Sequence, residues 1–405
     1  MRILLLTAGS RGDVDPFLAL AHRARRAGHE VRVAVPADAV ARAEASGVEV
    51  AKLDGDYAAL VAAQGVSPLA AVRSYRSVVA PMMAAILRSA ARAALEYGPD
   101  VLVHHPKVLS APLAAARLGV PHVLAEIVPA VTPTREFPAA GVTTADLGRL
   151  NPLTYRAAGA AARMFAGPLR EIRAVIGLAD GAPVPGAARH LVPVSPALLP
   201  RPADWPDTTV LTGAWHEPGG GPGSGHGGDE PDPEVAGFLA GGDVLYAGFG
   251  SMAAGDPAAR GRAVVGAARA AGLRVLVATG WGGIAVPPDV TGPDVLVRRA
   301  VPHATVLPRC AAAVHHGGAG TVHAVVRAGL PSVVVPFLAD QPFWGGLLHR
   351  RGLAGPPVPA RRLTAERLAA ALAALPHAGA VRAVGERMAA EDGCGAALDV
   401  LTSLT

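Results

Sequence analysis

Short apolar runs alternate with amphipathic helical segments along most of this 405-residue chain. The first run, RILLLTA at residues 2–8, is almost continuously apolar, as expected for a parallel strand that is buried on both faces. The turn GSRGDVD leads into an amphipathic segment at 16–29, and EVRVAV at 30–35 has the pattern of the next strand. Because this strand–helix–strand unit recurs, we predict an α/β fold with doubly wound parallel sheets.

One stretch interrupts the alternation and divides the chain. Residues 216–233, HEPGGGPGSGHGGDEPDP, are rich in glycine and proline and have no periodicity, which is typical of a flexible linker. We therefore predict Rossmann-like domains at 1–215 and 234–385, and a final helix at 386–405 that packs back towards the first domain. Ligands of such sheets bind at the carboxyl ends of the strands, so two facing domains are expected to share one site in the cleft.

Composition narrows the range of functions. The net charge is +5, and no basic block is interleaved with aromatic residues, which argues against nucleic-acid binding. Cys310 and Cys394 are the only cysteines, so we expect a reducing compartment and no disulfide framework. The N-terminal apolar run is too short for a signal sequence, and no stretch approaches the ~20 apolar residues of a membrane span. These features predict a cytoplasmic protein, monomeric or homodimeric, without stable membrane insertion.

A glycine-rich turn stands out at residues 314–329, VHHGGAGTVHAVVRAG. It joins a short apolar run to a helical segment, where glycines let the backbone approach a ligand and free helical N–H groups point at an anion. Glycines alone are equally compatible with a tight turn. His315, His316 and Thr321 add hydrogen-bond donors and therefore favour a phosphate site.

A second candidate site is the turn GSRGDVDP at 9–16. Pro16 suits the first position of a helix and Asp15 its N-cap, which predicts a structural role for Asp15. Asp13 has no such role in this interpretation, and its carboxylate is placed to accept a proton from a hydroxyl. The Asp13-Val14-Asp15 string also matches a pattern that holds a divalent metal in some enzymes. A three-residue match occurs by chance, and the chain shows no other metal-ligand spacing, so we expect no metal.

Together these motifs resemble a known family. GSRGDVDPFLALA, HHGGAGT and RAGLPSVVVPFLADQPFWG are similar to signatures of the bacterial two-Rossmann-domain (GT-B) glycosyltransferases that include antibiotic and sterol glycosyltransferases. TPTREFP at 132–138, SPALLPRPADWPD at 195–207 and GFGSM at 248–252 look most like the sterol glucosyltransferase branch. The resemblance spans nearly the whole chain. It implies an inverting transferase that moves a hexose from a nucleotide sugar to a hydroxyl of an apolar acceptor, such as a sterol, polyketide or macrolide, without a cofactor.

The resemblance also implies roles for individual residues. Asp13 stands where the family places its general base, and His316 corresponds to the histidine that donates to the diphosphate. Asp340 and Gln341 are expected to bond the hydroxyls of the transferred sugar. The other implied donor-binding residues are Ser251 near the phosphates or ribose, Val301 and His303 at the nucleobase, and Gly318, Ala319, Gly320 and Thr321 at the helix start.

The resemblance has one departure that affects the donor. Many relatives carry Asp-Trp where this chain has Ala304-Thr305, so UDP and dTDP both remain open as the nucleotide.

Several residues remain open between ligand contact and a structural role. His104 and His105 end the run DVLVHH, where they are expected to touch the acceptor, assist a base or form a structural pair. Trp281 lines the donor pocket or makes an ordinary apolar contact. The arginines of 156–173 form a solvated face or touch a membrane surface. The remaining candidate contacts to donor or acceptor are Ser10, Arg11, Gly12 and Trp344.

Two other functions are alternatives to transfer. The chain could be a catalytically silent helper of another glycosyltransferase, but such a helper is expected to lack the base or the diphosphate residues, which are present here. It could also be a nucleotide-sugar epimerase of similar fold, against which the acceptor-side motif TPTREFP argues.

Overall fold

The computed structural model describes residues 1–56, 75–216, 231–250, 252 and 255–405. These residues form two compact units. The first contains the described residues up to His216 together with Glu391–Thr405, and the second contains those from 231 to Ala390. Each unit has its own parallel sheet, so the predicted α/β class with two parallel sheets is confirmed. The predicted linker lies largely outside the described residues, and a helix begins at its last residue, Pro233.

The sheet of the first unit has seven strands in the order β3-β2-β1-β4-β5-β6-β7, and all its neighbouring pairs are parallel. The strands are β1 (Arg2–Leu6), β2 (Glu30–Pro36), β3 (Glu49–Leu53), β4 (Val101–His104), β5 (His122–Ala125), β6 (Arg189–Val192) and β7 (Thr209–Leu211). The strand order reverses between β1 and β4, which leaves a crevice at their carboxyl ends.

Seven α-helices among the described residues belong to the first unit. They are α1 (Arg11–Arg26), α2 (Val40–Ala45), α3 (Ala80–Tyr97), α4 (Ala111–Leu118), α5 (Asn151–Ala160), α6 (Ala166–Val175) and, at the end of the chain, α14 (Gly393–Thr402). Ile86 and Ala90 of α3 pack with Leu4 and Leu6 of β1 in a buried cluster. Since β1 is buried along almost its whole length, the residues that follow it are held on a rigid support.

Helix α1 begins five residues before its predicted start. Ser10 is the N-cap, and Asp13 is the third helical residue, whose side chain accepts a hydrogen bond from the Ser10 N–H at 2.8 Å. Pro16 lies inside the helix. The predictions that Asp15 caps this helix and that Asp13 has no structural role were therefore wrong. The Ser-x-x-Asp spacing satisfies a free N–H at the helix start, and this decides where the helix begins.

Helix α3 is also long and apolar enough to cross a membrane when it is counted from Ser77 to Tyr97. The sequence expectation that no stretch approaches this length was wrong. Half of its apolar window is buried within the structure, and buried core helices meet the same criterion.

The sheet of the second unit has five strands in the order β10-β9-β8-β11-β12, again all parallel. The strands are β8 (Val244–Gly248), β9 (Arg274–Ala278), β10 (Val295–Arg298), β11 (Ala312–His315) and β12 (Ser332–Val334). The helices are α7 (Pro233–Ala240), α8 (Pro257–Ala270), α9 (His303–Val306), α10 (Ala319–Arg327), α11 (Gln341–Arg350), α12 (Ala365–Ala373) and α13 (Ala378–Ala389). Here the strand order reverses between β8 and β11, so the residues after these two strands share one edge.

The chain returns to the first unit after α13. Ser195 donates to the Glu391 carboxylate at 2.6 Å, and Arg23 of α1 donates to Asp392 at 3.2 Å. Gly393 packs against the backbone of Gly213, because a Cβ at Gly393 would lie 2.5 Å from the Gly213 carbonyl oxygen. These contacts fix the last helix, α14, on the first unit.

Candidate active site

The carboxylate of Asp13 lies at the crevice of the first unit and receives four hydrogen-bond donors. Its Oδ2 accepts from the N–H of Ser10 at 2.8 Å, the Ser10 hydroxyl at 3.1 Å and the Lys107 ammonium at 3.0 Å. Its Oδ1 lies 3.1 Å from Nε2 of His105. Asp13 follows β1, whereas His105 and Lys107 follow β4, so the pairing of these two strands brings the group together.

The backbone around Asp13 is shaped to hold the carboxylate in place. The buried hydroxyl of Thr7 donates to the Asp13 carbonyl at 2.7 Å. Gly9 has φ +143°, and a Cβ there would lie 2.1 Å from Oδ2 of Asp13. Only glycine adopts this conformation easily and leaves room for the carboxylate.

Two opposing effects act on the charge of Asp13. Burial raises the pKa of its carboxyl, but the Lys107 ammonium and the His105 N–H lower it by more, so the pKa lies well below its usual range. Asp13 is therefore an ionised carboxylate at neutral pH. Its side chain is 17% exposed, which leaves part of it open to a ligand.

Both ring nitrogens of His105 have partners. The Lys107 N–H donates to its Nδ1 at 3.1 Å, so the ring hydrogen is on Nε2 and points to Asp13. Burial lowers the pKa of His105, although its bond to Asp13 opposes this. The ring is therefore neutral and donates to Asp13, and it has no free nitrogen to accept a proton itself.

His104 is separated from this group despite being the adjacent residue. Its Nε2 lies 3.1 Å from Nδ1 of His122, and its Nδ1 lies 3.3 Å from the His105 carbonyl oxygen. Nε2 of His122 in turn donates to the Pro185 carbonyl at 3.0 Å. Burial lowers the pKa of His104 to about 3. The structure thus places His104 in a buried structural pair with His122 and only His105 at Asp13.

The other candidates at this turn have separate positions. Ser10 contacts Asp13, whereas Gly12 is exposed. Arg11 lies 3.8 Å from Asp15, and Asp15 also pairs with Arg42 at 3.3 Å. The two carboxylates of the Asp-x-Asp string therefore bind different cations, which does not fit a shared metal. The described residues contain no group of three or more side chains suited to a metal ion.

The sequence reasoning missed two residues of the first unit. Lys107 was not assigned a role, although it is one of only two lysines in the chain and lies two residues after the run DVLVHH. Glu126 follows β5 and is fully buried. Its carboxylate accepts the N–H groups of Ala130, Val131 and Thr132, and so anchors the start of the TPTREFP segment. A charged residue at or shortly after the end of a predicted strand was the available signal for both.

In the second unit the glycine-rich turn has the predicted strand-to-helix form. β11 ends at His315, Gly317 has φ +88°, and Gly318 is the N-cap of α10. No side chain among the described residues caps this helix. The N–H groups of Ala319, Gly320 and Thr321 thus form an uncapped helix start, with the partial positive charge that attracts an anion.

The two adjacent histidines of the turn have different environments. His315 is fully buried, donates to Ser332 at 3.2 Å and accepts the Gly317 N–H at 3.2 Å. His316 is only partly buried and lies over Gly318, where a Cβ would be 2.5 Å from its Nε2. Burial lowers the pKa of His316 to about 4, opposed by the Gly248 carbonyl. His316 is therefore a neutral ring beside the start of α10, and its Nδ1 has no partner among the described residues.

Two glycine turns pack together beside His316. A Cβ at Gly280 would lie 2.5 Å from the Gly250 carbonyl oxygen, and the Trp281 N–H donates to that oxygen at 3.2 Å. The Trp281 side chain is 53% exposed and is open to a ligand. Ser251, which follows Gly250, lies outside the described residues.

The candidate nucleobase residues, Val301 and His303, both contact Tyr246 or its core cluster. Val301 is buried in a core cluster with Tyr246. His303 begins α9, and its Nε2 is 2.8 Å from the Tyr246 hydroxyl. Val301 can therefore contact a nucleobase only through its backbone or through the shape of the surface. The ring of His303 is held in place by the Tyr246 hydroxyl.

The candidate sugar-binding residues stand at the start of α11. Ala339 has φ +54°, the one left-handed residue other than glycine among the described part of the chain, and Asp340 follows it. Asp340 accepts from Trp344 Nε1 at 2.9 Å. The sequence suggested Trp344 as a ligand contact. Its side chain is fully buried, however, and its position instead supports Asp340.

The side chain of Gln341 is hydrogen-bonded to residues of its own unit. It is 5% exposed, and its oxygen accepts the N–H groups of Phe337 at 2.8 Å and Leu338 at 3.2 Å. Its amide nitrogen lies 3.3 Å from the Met252 sulfur. Gln341 thus shapes the loop before Asp340.

Two families match the parts of the chain that carry these sites. Residues 3–129 match the glycosyltransferase family 28 N-terminal domain, and residues 285–396 match the C-terminal domain described as erythromycin biosynthesis protein CIII-like. The O-mycaminosyltylonolide 6-deoxyallosyltransferase of Streptomyces fradiae is 34% identical over 425 residues, covering 97% of this chain and 95% of that protein. The chain belongs to the GT-B glycosyltransferases.

Other relatives of this glycosyltransferase come from both branches named by its motifs. The vancomycin aglycone glucosyltransferase of Amycolatopsis orientalis is 34% identical, covering 95% of this chain and 93% of that protein. The sterol 3-beta-glucosyltransferase UGT80B1 of Arabidopsis thaliana is 28% identical, covering 92% of this chain and 62% of that protein.

Solved structures agree with this fold. The calicheamicin glycosyltransferase CalG4 matches with a TM-score of 0.71 at 20% identity, covering 100% of this chain and 98% of that one. The glycosyltransferase VinC in complex with dTDP matches with a TM-score of 0.64 at 20% identity, covering 100% and 99%. At this identity the likeness establishes the GT-B fold of the glycosyltransferase and not its substrates.

Proposed function

We propose that this glycosyltransferase moves a hexose from a nucleotide sugar to a hydroxyl of an apolar acceptor with inversion, and that Asp13 is the general base. The observation that carries the proposal is the Asp13 carboxylate, held ionised at the carboxyl end of β1 and partly open to a ligand. In this reaction the acceptor hydroxyl gives its proton to Asp13 and its oxygen attacks the anomeric carbon. The bond to the nucleotide breaks and its electron pair goes to the diphosphate.

The second unit supports donor binding. The uncapped start of α10 and the neutral His316 beside it provide donors for a diphosphate, whose charge grows as the bond to the sugar breaks. Asp340, held by Trp344, is the proposed partner of a sugar hydroxyl. Two solved structures of the same fold contain thymidine diphosphate (dTDP). A dTDP-sugar is therefore the first donor to test beside a UDP-sugar.

The acceptor is proposed from the relatives' names. These describe transfer to O-mycaminosyltylonolide, to the vancomycin aglycone and to sterols. All three are hydroxyl-bearing molecules, and the first and third are largely apolar. We propose the same class here, with the anchored TPTREFP segment of the first unit on the acceptor side.

We also propose that transfer needs no metal and takes place in the cytoplasm. Metal independence is supported by the separate cation partners of Asp13 and Asp15 and by the helix start that replaces a metal at the diphosphate.

The decisive experiment compares Asp13→Asn with Asp15→Asn, using UDP- and dTDP-sugars and a panel of sterol, macrolide and polyketide acceptors. Asp13→Asn removes the proton acceptor at constant size, so transfer is expected to fall by about 10²–10⁴-fold while nucleotide affinity is kept. Asp15→Asn is the matched control in the same helix turn and is expected to keep most of its transfer. The product is expected to have the anomeric configuration opposite to the donor's, with and without EDTA.

Four results would contradict the proposal. Transfer by Asp13→Asn at the wild-type rate would show that Asp13 is not the base. Retention of the anomeric configuration would show that the reaction is not inverting. A strict requirement for added manganese would revive the metal site at Asp13 and Asp15. Nucleotide binding without turnover on the whole panel would favour the helper alternative.

A further inference from the structure

We propose that Lys107 and His105 are positioning residues that hold Asp13 as an oriented carboxylate and leave Oδ1 as the only oxygen that can take a proton. This inference rests on the proposed role of Asp13 as the base. It assigns a function to Lys107 and chooses between the two oxygens of the base.

The first step concerns Oδ2. This oxygen already accepts the Ser10 N–H, the Ser10 hydroxyl and the Lys107 ammonium, at 2.8, 3.1 and 3.0 Å. A carboxylate oxygen has about two lone-pair positions, so Oδ2 has no capacity for a further donor. Gly9 also closes this side, since a Cβ there would lie 2.1 Å from Oδ2 and 2.7 Å from the Lys107 ammonium.

The second step concerns Oδ1. Among the described residues its one hydrogen-bond donor is Nε2 of His105, at 3.1 Å. One lone-pair position therefore remains for the hydroxyl of an acceptor. The N–H of Lys107 fixes the His105 tautomer by donating to Nδ1, so Lys107 orients one oxygen through its backbone and occupies the other with its side chain.

The third step concerns charge. Three elements face Asp13: its own helix α1, the turn before it and the segment after β4. Arg11 of α1 is directed to Asp15, and His105 is neutral, which leaves Lys107 as the cation in contact with Asp13. Burial alone would favour the protonated form of Asp13, and the ammonium reverses this preference.

These contacts define the proton's path. The proton of the acceptor hydroxyl moves to Oδ1 as the oxygen bonds to the sugar. The neutral acid formed beside an ammonium is unfavourable, so it releases its proton to water once product leaves. Lys107 keeps its own proton throughout and resets the base for the next turnover.

The test uses the fact that the chain has two lysines, Lys52 and Lys107. Lys107→Met removes the cation at similar length, Lys107→Arg restores it, and Lys52→Met on β3 is the matched control. The acidic limb of the kcat/KM–pH profile is expected to move up by about 1–3 pH units in Lys107→Met, because an opposite charge at this distance lowers a carboxyl pKa by that amount. Lys107→Arg and Lys52→Met are expected to keep the limb near its wild-type position.

A second measurement needs no substrate. The ion pair stabilises the protein only while Asp13 is ionised. The stability difference between wild type and Lys107→Met in urea unfolding is therefore expected to be largest above the pKa that Asp13 has in the variant, and to shrink as pH falls below that pKa. The inference would be overturned if Lys107→Met matched the Lys52→Met control both in the acidic limb of its kcat/KM–pH profile and in its stability difference from wild type. If Asp13→Asn transfers at the wild-type rate, the proposed function fails, and the unfolding series alone then decides whether Lys107 controls the charge of Asp13.

The role of His105 is tested by pairing His105→Leu with His105→Gln. The leucine removes the donor to Oδ1 and is expected to lower kcat by more than tenfold with little change in the donor KM. The glutamine retains an N–H and is expected to recover part of the loss. If both variants fold normally and lose kcat equally, the hydrogen bond from His105 does not orient Oδ1, and this part of the inference fails.

Discussion

His315 and His316 show how two identical neighbouring residues acquire different roles. At the end of β11 successive side chains point to opposite sides, so His315 enters the core and bonds Ser332 while His316 faces the glycine turn. Burial lowers the pKa of both, to about 3 and about 4. Each is neutral at physiological pH, and only His316 has a ring nitrogen without a partner among the described residues.

Replacing His316 by alanine is expected to reduce turnover by more than about tenfold. The variant loses a hydrogen bond to the departing diphosphate, worth roughly 1.5–3 kcal/mol in the transition state. The measurement is kcat with a saturating donor, together with the melting temperature to verify folding. His349→Ala, at an exposed histidine, is the control. A wild-type kcat in His316→Ala would show that His316 does not stabilise the departing diphosphate.

At the scale of elements, the starts of α1 and α10 are built differently. Helix α1 is capped by Ser10 and Asp13, which fills the free N–H groups from within the protein. Helix α10 begins at glycine and has no side-chain cap among the described residues. A capped start positions a side chain, whereas an uncapped one keeps its N–H groups available for an anion.

Gly317, in the turn before α10, and Gly320, in the first turn of α10, are expected to respond oppositely to alanine. Gly317 has φ +88°, and a Cβ would lie 2.6 Å from the Val334 side chain, so Gly317→Ala is expected to destabilise the second unit by more than about 1 kcal/mol. Gly320 is helical with open space at its Cβ, so Gly320→Ala is expected to leave stability equal or raise it by up to about 1 kcal/mol. Urea unfolding measures both changes. Equal effects would show that the turn relaxes around Gly317.

At the scale of the whole molecule, both units bury neutral histidines at the ends of central strands. His104 ends β4 in the first unit, and His315 ends β11 in the second. Burial lowers the pKa of each to about 3, well below the ordinary value near 6.5. An unfolded chain binds these protons first, so this contribution to stability is complete above about pH 6.5 and is lost as pH falls towards the folded pKa values.

Unfolding free energy is therefore expected to fall on acidification from about pH 7.5 to 5. Each histidine contributes on the order of 1 kcal/mol per pH unit below its unfolded pKa. His315→Gln retains an acceptor and a donor without titrating, so its stability is expected to decline less over this range. Urea unfolding at several pH values measures the slope, with the exposed His377→Gln as control. An unchanged slope in His315→Gln would show that His315 is not buried as a neutral ring.

Local sequence predicted the elements well because their signals are local. Continuous apolar runs indicated β1, β4, β8 and β11, and the glycine turn marked the start of α10. The predicted start of α1 was wrong because two cap patterns, Ser10 with Asp13 and Asp15 with Pro16, compete within seven residues. Only the hydrogen bonds of the folded turn distinguish them.

The amino-acid sequence by itself determined the α/β class, the two parallel sheets and membership of the GT-B glycosyltransferases, since periodicity and motifs are properties of short segments. Tertiary structure alone decided which side chains meet. Lys107 reaches Asp13 because β1 and β4 pair across about a hundred residues, a neighbourhood that no local pattern encodes. Likewise, burial of Trp344 and the internal bonds of Gln341 depend on the packing of α11, so their supporting roles appear only in the folded protein.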